Sequence, residues 1–132
     1  MVAADRLYSE EHFWVKTLGP DRAVVGISDQ LQLTIIPTKL ILPDAGQSFN
    51  SGDAMGSLEG QKLMIDMIAP ISGSILQINT FLYEQENPEG IHSIVDDPYG
   101  QGWLVVMQIH KPAELQGLLT PQQYVAYTAE SG

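Results

Sequence analysis

The chain has 132 residues, of which 44% are hydrophobic and 17% charged, and this balance predicts one folded domain spanning residues 1–132 with a buried core. Sixteen Asp and Glu against six Lys and Arg give a formal charge of −10, which argues against binding to nucleic acid or to an anionic membrane surface. The chain has no cysteine, so the polypeptide itself supplies no disulfide, thiolate metal site or thiol nucleophile.

Short apolar runs separated by Gly, Pro and Asp predict many short strands. In chain order, strands are expected at residues 23–27, 39–42, 53–59, 62–68, 73–78 and 102–109. A tight turn at Gly60 and Gln61 is expected to join the third and fourth of these strands into a hairpin.

Helix signals are fewer. Residues 28–33 are expected to form a short helix capped by Ser28 or Asp29. Residues 111–119 carry leucines at helical spacing, and Thr120 before Pro121 predicts the start of a second helix near the C-terminus.

Residues 81–102 hold five of the sixteen carboxylates without a clear period, and they are predicted to form an exposed acidic loop. Within this loop, residues 84–97 are open to two interpretations, a docking surface for basic partners or a solvated loop. The whole pattern predicts a mostly β fold, either a sandwich or a flattened barrel, with short helices near its ends.

Targeting and catalytic signals are missing from the sequence. Residues 1–10 lack the basic and apolar regions of a secretory signal, and no apolar run is long enough to span a bilayer, so we expect a cytoplasmic protein. The adjacent Asp96 and Asp97 are expected to point apart on a loop, and nucleotide-binding or nucleophile-elbow motifs are absent. No metal-ligand spacing relates the three histidines, which are His12, His92 and His110.

Lys62 is the single Lys or Arg between residues 40 and 110, a stretch with nine carboxylates. It lies at the predicted hairpin turn, where a side chain projects into water and is accessible to a modifying enzyme. Glu59 and Asp66 flank it and could supply recognition charges. The alternative interpretation is a lysine that only makes the turn more soluble.

The residues around Lys62 form a longer pattern: Glu, two residues, Lys, then Asp four residues later, then Ala-Pro-x-Ser-Gly at residues 69–73. This pattern resembles the lipoyl-lysine hairpin of the glycine cleavage system H protein family. Residues 8–15 resemble the family's Tyr-x-x-Glu-His-x-Trp-Val, and residues 25–32 resemble its Val-Gly-Ile-Thr-Asp-x-Ala-Gln. The resemblance extends from Tyr8 to Tyr127.

The resemblance implies a non-catalytic lipoyl carrier. A lipoate–protein ligase would join lipoate to Lys62 as an amide, with Glu59, Gly60 and Asp66 serving ligase recognition or the hairpin. The arm would then carry a covalent intermediate between partner enzymes. The implied fold is a flattened barrel-sandwich hybrid like that of lipoyl domains, with short helices that include C-terminal ones, in a monomer.

Departures from the family pattern bear on the pathway. Phe13 replaces a common Glu, and this loss would weaken a salt bridge to a positively charged aminomethyl group. The charge argument therefore favours an H-protein-like lipoate-binding protein of bacterial sulfur oxidation, working with a heterodisulfide-reductase-like complex. The glycine cleavage carrier of an aminomethyl group is the alternative. An unmodified interaction module is the alternative of another class, and it predicts that Lys62→Arg leaves function intact.

Overall fold

The computed structural model describes residues 2–30, 37–61, 63–83 and 89–131, and nine strands in these ranges form two antiparallel sheets. The larger sheet has, in spatial order, β1 (Leu7–Tyr8), β2 (Phe13–Thr17), β3 (Arg22–Ile27), β9 (Val105–Ile109), β8 (Gly73–Ile78) and β5 (Ser48–Phe49). The smaller sheet has β4 (Pro37–Ile41), β6 (Ala54–Gly60) and β7 (Met64–Ile68).

The two sheets share one hydrophobic core. Alternation along the strands of the larger sheet turns Phe13, Val25 and Met107 inward, and each is at most 1% exposed. Leu58 and Met67 of the smaller sheet are equally buried and belong to the same cluster. The predicted mostly β fold, a flattened barrel-sandwich hybrid with short helices that include a C-terminal one, is therefore confirmed.

The helices in the described part of the chain are α1 (Glu89–Asp96), α2 (Pro121–Ser131) and two 3-10 helices, Thr80–Tyr83 and Pro112–Gly117. The predicted start of α2 is confirmed, because Gln123 N–H donates to Thr120 Oγ1 at 3.2 Å and Thr120 N–H donates to Gln123 Oε1 at 3.0 Å. The helix expected over residues 111–119 is shorter than predicted, since Leu118 is already extended with φ −81° and ψ 158°.

The prediction of an exposed acidic loop at 81–102 is wrong for the described residues. Leu82 lies in the 3-10 helix and Ile94 in α1, and both side chains are buried in the core, 3% and 1% exposed. The prediction rested on the carboxylates of this segment and missed Leu82 and Ile94. Their burial depends on packing into the core, which the local sequence does not show. Residues 84–88 lie outside the described part of the chain.

Three smaller expectations also change. Strand β6 ends at Gly60 and strand β7 begins at Met64. The connection is therefore not the Gly60-Gln61 turn that the sequence predicted. Strand β9 begins at Val105, three residues later than predicted. Ser28 is not helical, although its Oγ accepts a hydrogen bond from Gln30 N–H at 3.1 Å, and residues 31–36 of the expected helix lie outside the described residues.

Among the residues that the structure describes, no helix is long and apolar enough to cross a membrane.

Candidate functional site

The β6–β7 hairpin carries the residues that the sequence singled out. Its two strands pair antiparallel, with Glu59 opposite Met64 and Ser57 opposite Asp66. Gly60 N–H donates to the Leu63 carbonyl at 2.8 Å, so the ladder continues to this pair and two residues connect it. Such a short connection is typical of a tight hairpin.

The two carboxylates of the hairpin lie on its outer face. Leu58 and Met67 point into the core, at 0% and 1% exposure. Because side chains alternate along a strand and register partners share a face, Glu59 and Asp66 both point away from the core. The sheet therefore presents both charges to solvent on one surface.

The tip of the hairpin is exposed and partly apolar. Leu63 is 51% exposed, Met64 is 59% exposed, and Gln61 is also exposed. Lys62 lies outside the described residues, so of the predicted site residues the structure describes Glu59, Gly60 and Asp66.

Strand β4 supports the hairpin from one side. Thr38 Oγ1 donates to the Glu59 carbonyl at 3.2 Å, and Lys39 is the register partner of Glu59. Lys39 is exposed and shares the outer face with Glu59. Sequence reasoning did not connect Lys39 with the hairpin, because only strand pairing brings them together.

At the end of the motif, Ser72 and Gly73 anchor the hairpin to the rest of the protein. Ser72 is 2% exposed, and its N–H and Oγ donate to the two carboxylate oxygens of Glu114 at 2.7 and 2.9 Å. Ser72 Oγ also accepts from Ser51 N–H at 3.0 Å. A Cβ on Gly73 would collide with the Gln108 carbonyl. These residues hold the base of the hairpin to the larger sheet and to the 3-10 helix Pro112–Gly117.

The sequence model that describes the glycine cleavage H-protein family matches residues 6–131 of this chain. The chain belongs to the glycine cleavage H-protein family. The glycine cleavage system H protein of Carboxydothermus hydrogenoformans is 35% identical over 100% of this chain and 98% of that protein. The H protein of Methylacidiphilum infernorum is 40% identical, over 93% of this chain and 92% of that protein.

A crystal structure of the glycine cleavage system H protein from Mycobacterium marinum has the same fold. It matches with a TM-score of 0.80 at 28% identity and covers 99% of both chains. The family resemblance read from the sequence is thus confirmed. H proteins are non-catalytic carriers of lipoate on a lysine, so the prediction that this chain is not an enzyme is confirmed as well.

Phe13 does not fit the interpretation that led towards sulfur oxidation. A salt bridge from position 13 to an aminomethyl group would need a side chain that faces the loaded arm, yet the Phe13 side chain is 1% exposed and lies in the core cluster. Phe13 faces inward from strand β2, and its register partner is Ile27, another core residue. The buried position of Phe13 therefore gives no support to the sulfur-oxidation interpretation.

The other polar candidates have structural roles in this H-protein chain. His12 Nδ1 and the Tyr124 hydroxyl share a hydrogen bond of 2.6 Å, and burial lowers the pKa of His12. Asp97 accepts from Gln101 N–H at 3.0 Å and so closes the turn after α1. Within the described ranges, no group of three or more His, Asp or Glu side chains could hold a metal ion.

Proposed function

We propose that this chain is an H protein of glycine cleavage and that its Lys62 carries lipoate in amide linkage. The observation that supports this most strongly is the agreement between the lipoyl-lysine motif and the hairpin. The motif's two carboxylates, Glu59 and Asp66, lie on one outer face, and Lys62 belongs to the two-residue connection between Gly60 and Leu63.

The described residues fit an attachment site for lipoate. The residues on either side of Lys62 are exposed, so an acyl group joined there would have room to extend away from the protein. The amide would form between the lipoate carboxyl and Lys62 Nζ, with formal loss of water. The bound dithiolane would supply the redox-active sulfurs that a cysteine-free chain lacks.

Glu59 and Asp66 would act as recognition charges for a lipoate–protein ligase, because both are carboxylates on the face that the ligase would approach. Lys39 shares that face and is the natural competitor for modification. The proposed partners are therefore the ligase and the enzymes of glycine cleavage, met by a monomeric carrier in the cytoplasm.

Lipoylation is the first prediction. We expect the chain incubated with lipoate–protein ligase, lipoate and ATP to gain the mass of one lipoate less one water, located on Lys62 by tandem mass spectrometry. Lys62→Arg should abolish the gain, because an arginine offers no amine that can be acylated. Lys39→Arg is the matched control and should be modified like the wild type.

Modification at Lys39, or an unmodified Lys62 under these conditions, would contradict the proposed site. An unmodified protein that keeps its cellular function after Lys62→Arg would instead support a simple interaction module.

The pathway is the second prediction. The relatives described above are glycine cleavage H proteins, and the buried Phe13 gives no support to sulfur oxidation. We expect the lipoylated chain, mixed with glycine decarboxylase, to support exchange between the glycine carboxyl group and labelled bicarbonate. Lipoylated Lys39→Arg should behave alike, and Lys62→Arg should give no exchange. A lipoylated protein that gives no exchange would reject the glycine cleavage assignment while leaving the attachment site standing.

A further inference from the structure

A cavity of about 300 Å³ opens on the outer face of the larger sheet, on the side away from the core shared with the smaller sheet. Val24 and Val106 line it, and they are register partners on the outward face of β3 and β9. Leu18, which is 55% exposed, also lines it. The cavity thus has an apolar lining on a sheet face that would otherwise meet water.

Aromatic side chains complete the lining and are held in place. Trp14 lies across Gly26, where a Cβ would overlap the indole ring, and its Nε1–H donates to the Pro98 carbonyl at 3.0 Å. The Arg6 guanidinium carbon lies 4.5 Å from the centroid of the Trp14 ring and 5.1 Å from that of the Tyr99 ring. These contacts hold the Trp14 and Tyr99 rings in place without a ligand, so that binding would not have to order them.

The two charged residues that line the cavity, Arg6 and Lys16, are both cations. Asp5 pairs with both, at 2.8 Å from Arg6 Nε and 3.3 Å from Lys16 Nζ. The hydrogen bond from Arg6 lowers the pKa of Asp5 to about 2, so this carboxylate is ionised at neutral pH. Among these three side chains, one carboxylate against two cations leaves one positive charge, in a chain whose formal charge is −10.

Lys16 is the cation of the pair that a ligand can reach. Its side chain is 43% exposed, whereas the Arg6 side chain is 7% exposed. A ligand with a planar apolar ring system could pack against the valine and tryptophan side chains, and a carboxylate at its edge could pair with the Lys16 ammonium group.

We propose that this cavity binds a small planar organic anion of the aromatic carboxylate class, with its ring system against Trp103, Val24 and Val106 and its carboxylate at Lys16. The site lies on the larger sheet, and the hairpin belongs to the smaller one, so the proposal does not depend on lipoylation.

The chain contains two tryptophans, Trp14 and Trp103, and both line this cavity. Their indole N–H resonances in ¹H–¹⁵N spectra therefore report directly on occupancy. We would titrate the unlipoylated full chain with 2-naphthoate and, in parallel, with its neutral amide, 2-naphthamide. We expect naphthoate to shift the indole resonances saturably, with a dissociation constant of the order of 1 mM or below for a ligand of this size.

Charge variants on exposed positions separate the roles without disturbing the core. Lys16→Gln should weaken naphthoate binding about fivefold and leave naphthamide unchanged, because it removes one charge-assisted contact. Asp5→Asn should strengthen naphthoate binding, because Lys16 is then no longer shared. Lys39→Gln, which removes an exposed cation from the other sheet, is the matched control and should have no effect.

Three results would each overturn the proposal. The first is no saturable shift of either indole resonance up to about 10 mM naphthoate. The second is equal affinity for naphthoate and naphthamide. The third is a Lys16→Gln variant that binds naphthoate like the wild type while its backbone spectrum shows the native fold.

Discussion

At the scale of single residues, His12 connects the two ends of the chain. It is the one described non-glycine residue with a positive φ, 75°, a region of backbone space that is unfavourable for most side chains. Its Nδ1 shares a hydrogen bond with the Tyr124 hydroxyl at 2.6 Å, and that hydroxyl also lies 2.5 Å from Ser28 Oγ. The hydrogen bond to the buried Tyr124 holds the His12 imidazole where it is partly shielded from water.

Stability is expected to depend on the protonation of His12. Desolvation by burial lowers its folded-state pKa below the ordinary 6.5, while the nearby Glu11 charge opposes this shift. The unfolded chain then binds the proton more readily than the folded one, so this contribution to stability is fully present above pH 6.5 and is lost as pH falls through the folded-state pKa.

We therefore expect His12→Asn to flatten the decline of unfolding free energy between neutral and mildly acidic pH in urea titrations. Asn tolerates the positive φ, so the backbone should be retained. Tyr124→Phe is the comparison variant, which removes the hydroxyl but keeps the imidazole, and its decline should persist. An unchanged pH profile in His12→Asn would mean that another group carries the dependence.

At the scale of elements, helix α2 is held by its cap and by one buried side chain. Tyr124 is 0% exposed, and its ring stacks on Tyr8 with centroids 4.4 Å apart. Leu119, just before the helix, exchanges backbone hydrogen bonds with Tyr8 at 2.7 and 2.9 Å. The reciprocal bonds between Thr120 and Gln123 satisfy two N–H groups at the helix start.

Thr120→Ala should lower the unfolding free energy by about 1 kcal/mol, because it removes the side-chain oxygen that caps the helix. Faster amide hydrogen exchange in the first turn of α2 should accompany the loss. Gln122→Ala, an exposed change in the same turn, is the control and is expected to leave both measurements unchanged. Equal stability of the wild type and Thr120→Ala would show that Tyr124 packing alone holds the helix.

At the scale of the whole molecule, the two sheets are expected to unfold together. Leu58 of the smaller sheet is 0% exposed and lies in the same core cluster as Val15 and Met107 of the larger sheet. Both tryptophans lie at the larger sheet, so their fluorescence reports on the sheet that does not contain Leu58.

Leu58→Ala should lower the unfolding free energy by about 2 to 5 kcal/mol through lost burial and a residual cavity. Tryptophan fluorescence and far-UV circular dichroism should show this loss as one shared transition. Met64→Ala changes an outward-facing residue of the same hairpin, 59% exposed, and should alter stability by less than about 0.5 kcal/mol. Separate transitions for the two probes would contradict a single domain.

The sequence alone determined the features that depend on near neighbours. The strand at Gly73–Ile78 matches its prediction, the cap at Thr120 needs only Gln123, and the lipoyl-lysine motif is contiguous. Each is set by residues close along the chain, where side-chain alternation, capping and turn chemistry act. The family assignment followed from the same local patterns.

Only the tertiary structure decided the features that depend on register between distant strands. It placed Phe13 in the core, where it gives no support to sulfur oxidation, and it placed part of the expected acidic loop in helices anchored by Leu82 and Ile94. It also brought Lys16 beside Trp103 in one cavity. A sequence read locally shows which side chains share a face of one strand, but the strand that lies opposite is set by the free energy of the whole core.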